Sequence, residues 1–355
     1  MPYAIALTGN VFPLGEGCHY GGERIIYYLI QELAKRGHEI YLFSCRGTNV
    51  PSEYIKDFVE VPVICAEEDV HFNAIREYQK RTGIEFDIYH CNAFGEGFDP
   101  RALSEYNYCE LVWCNWSHVK QNIVSYSRLL QKDMAESGRP STMIHYGIPS
   151  EYPFSPVADD YVVWFGKIEG GKGADIAIDI AQEAKMKIVL MGPPYDPNYF
   201  QTKILPRIDN DRVFWLRGVD DRMKSKVLER AKAFISTNVT GWTEYFGIVN
   251  IEALAHGVPI IAFSAVNYPS AIAYDHIIDE GIHGHFVWYD NTERQRDELV
   301  QFSAECLNKI EKIDRYECRK RFEEEWTSAK MTDRWEWLYQ QIQDGKKFER
   351  LEVPF

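Results

Sequence analysis

Short apolar runs alternate with amphipathic stretches along nearly the whole chain, and that alternation constrains the fold more than any other feature. "YAIALT" (3–8) is followed by the helical pattern "GGERIIYYLIQELAKRGH" (21–38). "EIYLFS" (39–44), "VEVPVI" (59–64), "FDIYHC" (86–91), "ELVWC" (110–114) and "TMIHY" (142–146) then have the character of strands. Strands buried on both faces show such continuous runs, and their alternation with helices calls for a parallel α/β sheet. Prolines and polar residues in "GIPSEYPFSPVADD" (147–160) interrupt the pattern and mark a linker. Alternation restarts with "YVVWF" (161–165), a helix near 172–185, "KIVLM" (187–191), "RVFWL" (212–216), "AFIST" (233–237) and "VPIIAF" (258–263). From about 295 the tail is helical, charged and Trp-rich. The pattern predicts two doubly wound domains, 1–150 and 151–335, with ligands at the carboxyl ends of the strands, in the cleft between the domains.

A chain of 355 residues, 45% of them hydrophobic, supports two cores of this kind. Its net charge of −14 excludes a nucleic acid polymer as partner, which would need a basic surface. A small anion held by a few local cations stays possible. The eight cysteines form no CxxC pair and no dense framework, so reduced, buried thiols are expected. The N-terminus lacks the pattern of a signal peptide, and no apolar run reaches the length of a membrane span. A soluble, cytoplasmic protein is the expectation.

Two segments carry chemistry. In "YVVWFGKIEGGKGADIAIDIA" a strand runs into a glycine-rich turn and then a helix, with Lys167 and Lys172 flanking the turn. Backbone N–H groups and the helix dipole favour an anion there, and two lysines could hold a diphosphate and stabilise it as a leaving group. A solvated turn with incidental lysines is the simpler alternative. In "TEYFGIVNIEALAHGVP" (243–259), Glu244 precedes an apolar helix and Glu252 lies within it. A carboxylate flanked by Ile251, Ala253 and Leu254 is costly unless partnered. It either pairs with a lysine or arginine or faces a polar ligand. Gly247, Ile248 and Val249 open the helix, and their amides suit a phosphate or a sugar hydroxyl, with Gly247 allowing close approach. Glu252 follows Ile248 by one helical turn and is suited to vicinal hydroxyls such as those of a ribose.

Together these segments resemble the donor-binding half of GT-B glycosyltransferases, in particular the large retaining family of glycogen-synthase-like and mannosyl- or glucosyltransferase enzymes (glycosyltransferase family 4 type). The family's "G-R-L-x-x-x-K-G" corresponds to "GKIEGGKG", and its "E-x-F-G-x-x-x-x-E-A-x-A-x-G-x-P" to "EYFGIVNIEALAHGVP". "KIVLMGPP", "VFWLRGVDDR" and "IIDEGIHGHFV" follow the family's order across roughly 160–290. "PLGEGCHYGGERIIYYLIQELAKRGHEIYLF" resembles its N-terminal glycine loop, first helix and second strand. Lys167 stands where the family has arginine, Tyr245 where it has proline, and Asn92 where it often has a second histidine after His90.

The resemblance implies a GT-B fold, two Rossmann-like domains facing across a cleft. The N-terminal domain would lie on the acceptor side, with the last helix (about 336–355) packing back on it; the C-terminal domain would bind donor. It implies metal-independent, retaining transfer of a hexose from a nucleoside-diphosphate sugar, UDP foremost, to a hydroxyl acceptor, with no further cofactor. Lys167 and Lys172 would neutralise the diphosphate, assisted by Gly21 and Gly22. Glu244 would bind the donor sugar and stabilise an oxocarbenium-like transition state, and Glu252 the ribose. His90 and Asn92 would position the sugar, and backbone near Gly218 and Val219 would meet the base. A related sugar phosphorylase or epimerase and a non-catalytic nucleotide-sugar binding module are the alternatives. Acceptor and oligomeric state leave no readable trace. His118, in "CNWSHVKQN", is as compatible with a helix cap as with an acceptor contact. Asp209, Asn210 and Asp211 form a DxD triplet, the metal motif of another glycosyltransferase architecture, but turn chemistry accounts for it here.

Overall fold

The computed structural model describes residues 2–9, 12–18, 20–62, 68–92, 108–111, 123–238, 244–290, 296–346 and 352–353. The chain divides into two units, Met1–Pro149 with Trp326–Phe355, and Ser150–Glu325. The first break falls at the start of the proline-rich linker. The return falls at 325/326 rather than near 335, so one entire helix beyond it belongs to the first unit.

In the first unit, β1 (Ala4–Thr8), α1 (Gly21–Lys35), β2 (Glu39–Cys45), β3 (Asp57–Val61), α2 (Glu68–Thr82), β4 (Ile88–Cys91), β5 (Tyr108–Leu111), β6 (Ile123–Ser125), α3 (Arg128–Glu136) and β7 (Ser141–Met143) follow one another. The sheet order is β3-β2-β1-β4-β5-β6-β7, and every pairing is parallel. Leu7 lies level with Leu42 on one side and His90 on the other. β6 is a short run that the alternation does not single out. α1 buries Ile25, Ile26, Leu29, Ile30 and Leu33, the spacing of a single helical stripe.

The second unit contains β8 (Tyr161–Phe165), α4 (Ala174–Glu183), β9 (Lys187–Met191), α5 (Pro197–Tyr199), β10 (Val213–Leu216), α6 (Asp221–Arg230) and β11 (Ala233–Ser236). These are followed by α7 (Ile248–Ala255), β12 (Ile260–Ala265), α8 (Ala271–Tyr274), β13 (Gly284–Tyr289), α9 (Arg296–Leu307) and α10 (Arg315–Glu325). The order β10-β9-β8-β11-β12-β13 is again wholly parallel. Strand order reverses between β8 and β11, the topological switch point at which doubly wound sheets bind ligands. β13 begins inside the "IIDEGIHGHFV" segment and forms the edge strand. A Cβ on Gly284 would fall 2.0 Å from the Ile260 carbonyl oxygen, so only glycine lets the two strands meet there.

α11 (Ser328–Gln343) returns the chain to the first unit. It buries Met331, Trp335, Leu338, Tyr339 and Ile342 on one face. Arg36 beyond the end of α1 binds Asp333 (2.7 Å) and Glu336, and His38 Nε2 lies 2.8 Å from Glu336 Oε1. Among the described residues no helix is long and apolar enough to cross a membrane.

Candidate active site

The glycine-rich turn after β8 is built by backbone demands. A 3-10 turn, Gly170–Lys172, leads to Gly173 at φ 68°, a left-handed conformation that glycine adopts without steric cost. A Cβ there would lie 2.9 Å from the Thr237 carbonyl oxygen, just beyond β11. The Thr237 hydroxyl lies 2.9 Å from the carbonyl oxygens of both Lys172 and Gly173 and accepts from Trp164 Nε1 at 3.0 Å. The turn after β8 is thus clamped to the end of β11, and Lys172 is fixed at the switch point.

On the β11 side, Lys172 Nζ forms an ion pair with the Glu244 carboxylate. The two side chains are 21% and 22% exposed, and so largely but not fully withdrawn from solvent. Ala271 N donates to the Glu244 carbonyl (3.1 Å), which anchors its backbone. Three residues on, Gly247 (φ 74°, ψ 71°) opens α7, and no side chain caps the helix. The amides of Ile248 and Val249 therefore begin the helix without a side-chain acceptor, beside a lysine–carboxylate pair. The two lysines of the turn differ: Lys167 Nζ stands 4.5 Å over the Tyr195 ring, in a cation–π contact.

Glu252 is 1% exposed and pairs with Lys224 of α6, Nζ to Oε1 2.6 Å. Lys224 also reaches Asp221 (3.0 Å) and lies 5.6 Å from the centre of the Phe165 ring. This is the lysine pairing posed above as the alternative to a ligand contact. His256, one turn after Glu252, has Nδ1 2.7 Å from the Glu252 carbonyl oxygen and Nε2 3.0 Å from Ser225 Oγ. Burial pushes its pKa down to about 4, so the ring is neutral and ties α7 to α6.

The remaining candidates are placed as follows. Gly218 (φ 55°) is exposed and Val219 half-buried after β10, beside Arg217, which stacks 4.6 Å over Trp215. Gly21 and Gly22 are the first residues of α1, which follows β1 and has no side-chain cap. His118 lies outside the described residues. Among the described residues no His, Cys, Asp or Glu cluster could hold a metal ion. In the DxD triplet, Asp209 Oδ1 accepts from the amides of Asp211, Arg212 and Val213 (2.8–2.9 Å), and these bonds lower its pKa to about 2. It closes a turn.

His90 and Asn92 lie at the carboxyl end of β4. His90 is wholly buried, 4.3 Å from Trp335 ring to ring, with Nδ1 2.6 Å from the Tyr339 hydroxyl. Burial lowers its pKa to about 3. It holds α11 on the first unit. Asn92 is also wholly buried; its Nδ2 donates to the Thr8 carbonyl (2.9 Å) and its N to Thr8 Oγ1 (2.8 Å). It joins the ends of β1 and β4, the switch point of the first sheet.

Residues 153–295, all within the second unit, match the family model of glycosyl transferases group 1. The chain is similar in structure to AviGT4, a glycosyltransferase involved in avilamycin A biosynthesis (20% identity, 98% of this chain and 100% of that one, TM-score 0.70). It is also similar to a glycosyltransferase from Rickettsia africae (16%, 97% and 100%, TM-score 0.74). A third similar structure is Anabaena HepE in complex with UDP (14%, 95% and 100%, TM-score 0.68). No curated protein matches the chain by sequence. With two parallel doubly wound sheets and a group 1 domain in its second unit, the chain is a glycosyltransferase of the GT-B fold.

Proposed function

We propose that the chain transfers a hexose from a nucleoside-diphosphate sugar to a hydroxyl acceptor with retention of configuration, as enzymes of the glycosyltransferase family 4 type do. The observation that carries this reading is the Lys172–Glu244 pair beside the uncapped start of α7, at the switch point of the second sheet. Lys172, Lys167 and the amides of Ile248 and Val249 supply positive charge for a departing diphosphate, in place of a divalent ion. Gly21 and Gly22, at an uncapped helix start, offer backbone amides of the same kind. Glu244 meets hydroxyls of the donor sugar and the positive charge that develops on its ring. Glu252 binds the ribose, with Lys224 as its resident partner. Backbone around Gly218 and Val219 meets the base. UDP is the nucleotide we propose, as the one bound in the HepE structure. The chain needs no other cofactor.

The test is thermal stabilisation by UDP, GDP and ADP, on wild type and Lys172→Ala side by side. A shift with one nucleotide that disappears in the variant supports the reading and selects the donor class. No shift with any of the three refutes it. A chelator is expected to leave the transfer rate unchanged.

A further inference from the structure

The space beside Gly247 contains a side chain to which the donor reading assigns no role. Asn250, in the first turn of α7, is 1% exposed, and its fully buried Oδ1 has no hydrogen-bond partner. A buried acceptor left unsatisfied is unfavourable, and an apolar side chain of similar shape would remove that cost. The resting structure therefore gains nothing from the carbonyl end of this amide.

The other end lies close to the site. A Cβ on Gly247 would fall 2.5 Å from Asn250 Nδ2 and 3.3 Å from Glu244 Cγ. The carboxamide and the Glu244 side chain thus border one small space that a glycine keeps open. Glu244 is held by Lys172. A diphosphate carries more negative charge than a carboxylate and competes for that lysine. When Lys172 turns towards it, Glu244 is left largely buried and in need of a donor.

We propose that Asn250 is a positioning residue that takes over Glu244 when a diphosphate draws Lys172 away, and so keeps the carboxylate aimed at the hydroxyls of the bound sugar. This inference rests on the donor reading above. A carboxamide suits the role because it donates without adding charge. A lysine there would compete for the diphosphate, and an aspartate would repel Glu244.

Calorimetric binding of UDP, GDP and ADP, and of UDP-glucose, GDP-mannose and ADP-glucose, tests this on wild type, Asn250→Leu, Asn250→Asp and Glu244→Gln. Asn250→Leu is expected to melt no lower than wild type and to bind the preferred nucleoside diphosphate within about twofold of it, because water reaches the 22%-exposed Glu244 side chain while no sugar covers it. Its affinity for the matching sugar nucleotide is expected to fall about tenfold, since a hydrogen bond to a charged group is lost. Glu244→Gln should bind the nucleoside diphosphate at least as tightly as wild type, since Lys172 is then released, and should lower the ratio of sugar-nucleotide to nucleoside-diphosphate affinity, with little further fall in that ratio in the double variant. Asn250→Asp should lose sugar-nucleotide affinity at pH 8 and regain part of it at pH 5.5, where the two carboxylates share a proton. An Asn250→Leu variant with the wild-type ratio of sugar-nucleotide to nucleoside-diphosphate affinity overturns the inference alone. Wild type that binds no nucleoside diphosphate overturns the donor reading with it.

Discussion

Lys172 and Glu244 lie far apart in sequence and meet as an ion pair at the carboxyl ends of β8 and β11. Neither is fully buried, and the pair stands between a glycine-rich turn and an uncapped helix. A cation and an anion placed so can separate to receive a ligand that carries both a negative group and hydroxyls.

Neutralising either partner should therefore affect catalysis far more than folding. Lys172→Ala is expected to lower donor turnover by roughly a hundredfold or more, the scale seen when one preorganised charge-stabilising group is removed. Release of nucleoside diphosphate from a sugar nucleotide in water measures this without knowledge of the acceptor. A variant with full turnover would show that the diphosphate is held elsewhere.

Lys224 should behave in the opposite way. Lys224→Met leaves the Glu252 carboxylate buried beside an apolar side chain, and unfolding free energy should fall by about 3–5 kcal/mol. Lys224→Met with Glu252→Gln should recover a large part of the loss, because the uncompensated charge is gone. Denaturant titration of the three variants decides the matter; equal losses in single and double variants would mean that the pair does not set the cost.

His90 and His256 make stability depend on pH. Burial depresses both, to about 3 and about 4, below the ordinary histidine value of 6.5. The unfolded chain then binds more protons than the folded one, so each contribution is complete above about pH 6.5. It is lost progressively as pH falls towards the folded value. For His256 the loss is of order 3 kcal/mol. His256→Gln should flatten the decline in melting temperature between pH 6.5 and 4 relative to wild type, and an unchanged slope would contradict the assignment.

Gly173 and Gly247 both require left-handed backbone. Gly173→Ala adds a methyl 2.9 Å from the Thr237 carbonyl oxygen as well as the conformational strain, and should cost more than the ~1–2 kcal/mol of strain alone. It should also displace Lys172 and weaken nucleoside-diphosphate binding. Calorimetry at matched stability, with added osmolyte, separates the two effects; binding as tight as wild type would place Lys172 outside the diphosphate contact.

Two parallel doubly wound sheets could be read from the order of residues alone, as could the placement of Lys172, Glu244, Gly247 and Glu252 in one half of the chain. These follow from short-range rules. Apolar runs of strand length alternate with helical stripes, and glycines stand where backbone must turn left-handed or approach closely. Tertiary structure decided which charges meet. Lys172 pairs with Glu244 because Thr237, just beyond β11, clamps the carbonyls of Lys172 and Gly173, whereas Lys167 stands over Tyr195. Lys224 reaches Glu252 because α6 packs beside α7, and no local pattern in "DDRMKSK" announces it. His90 meets Trp335 and Tyr339 because α11 returns to the first unit, a contact that no nearby residue announces. Local propensity reaches only a few residues along the chain, whereas partner choice for a charge depends on strand order, which no short segment specifies.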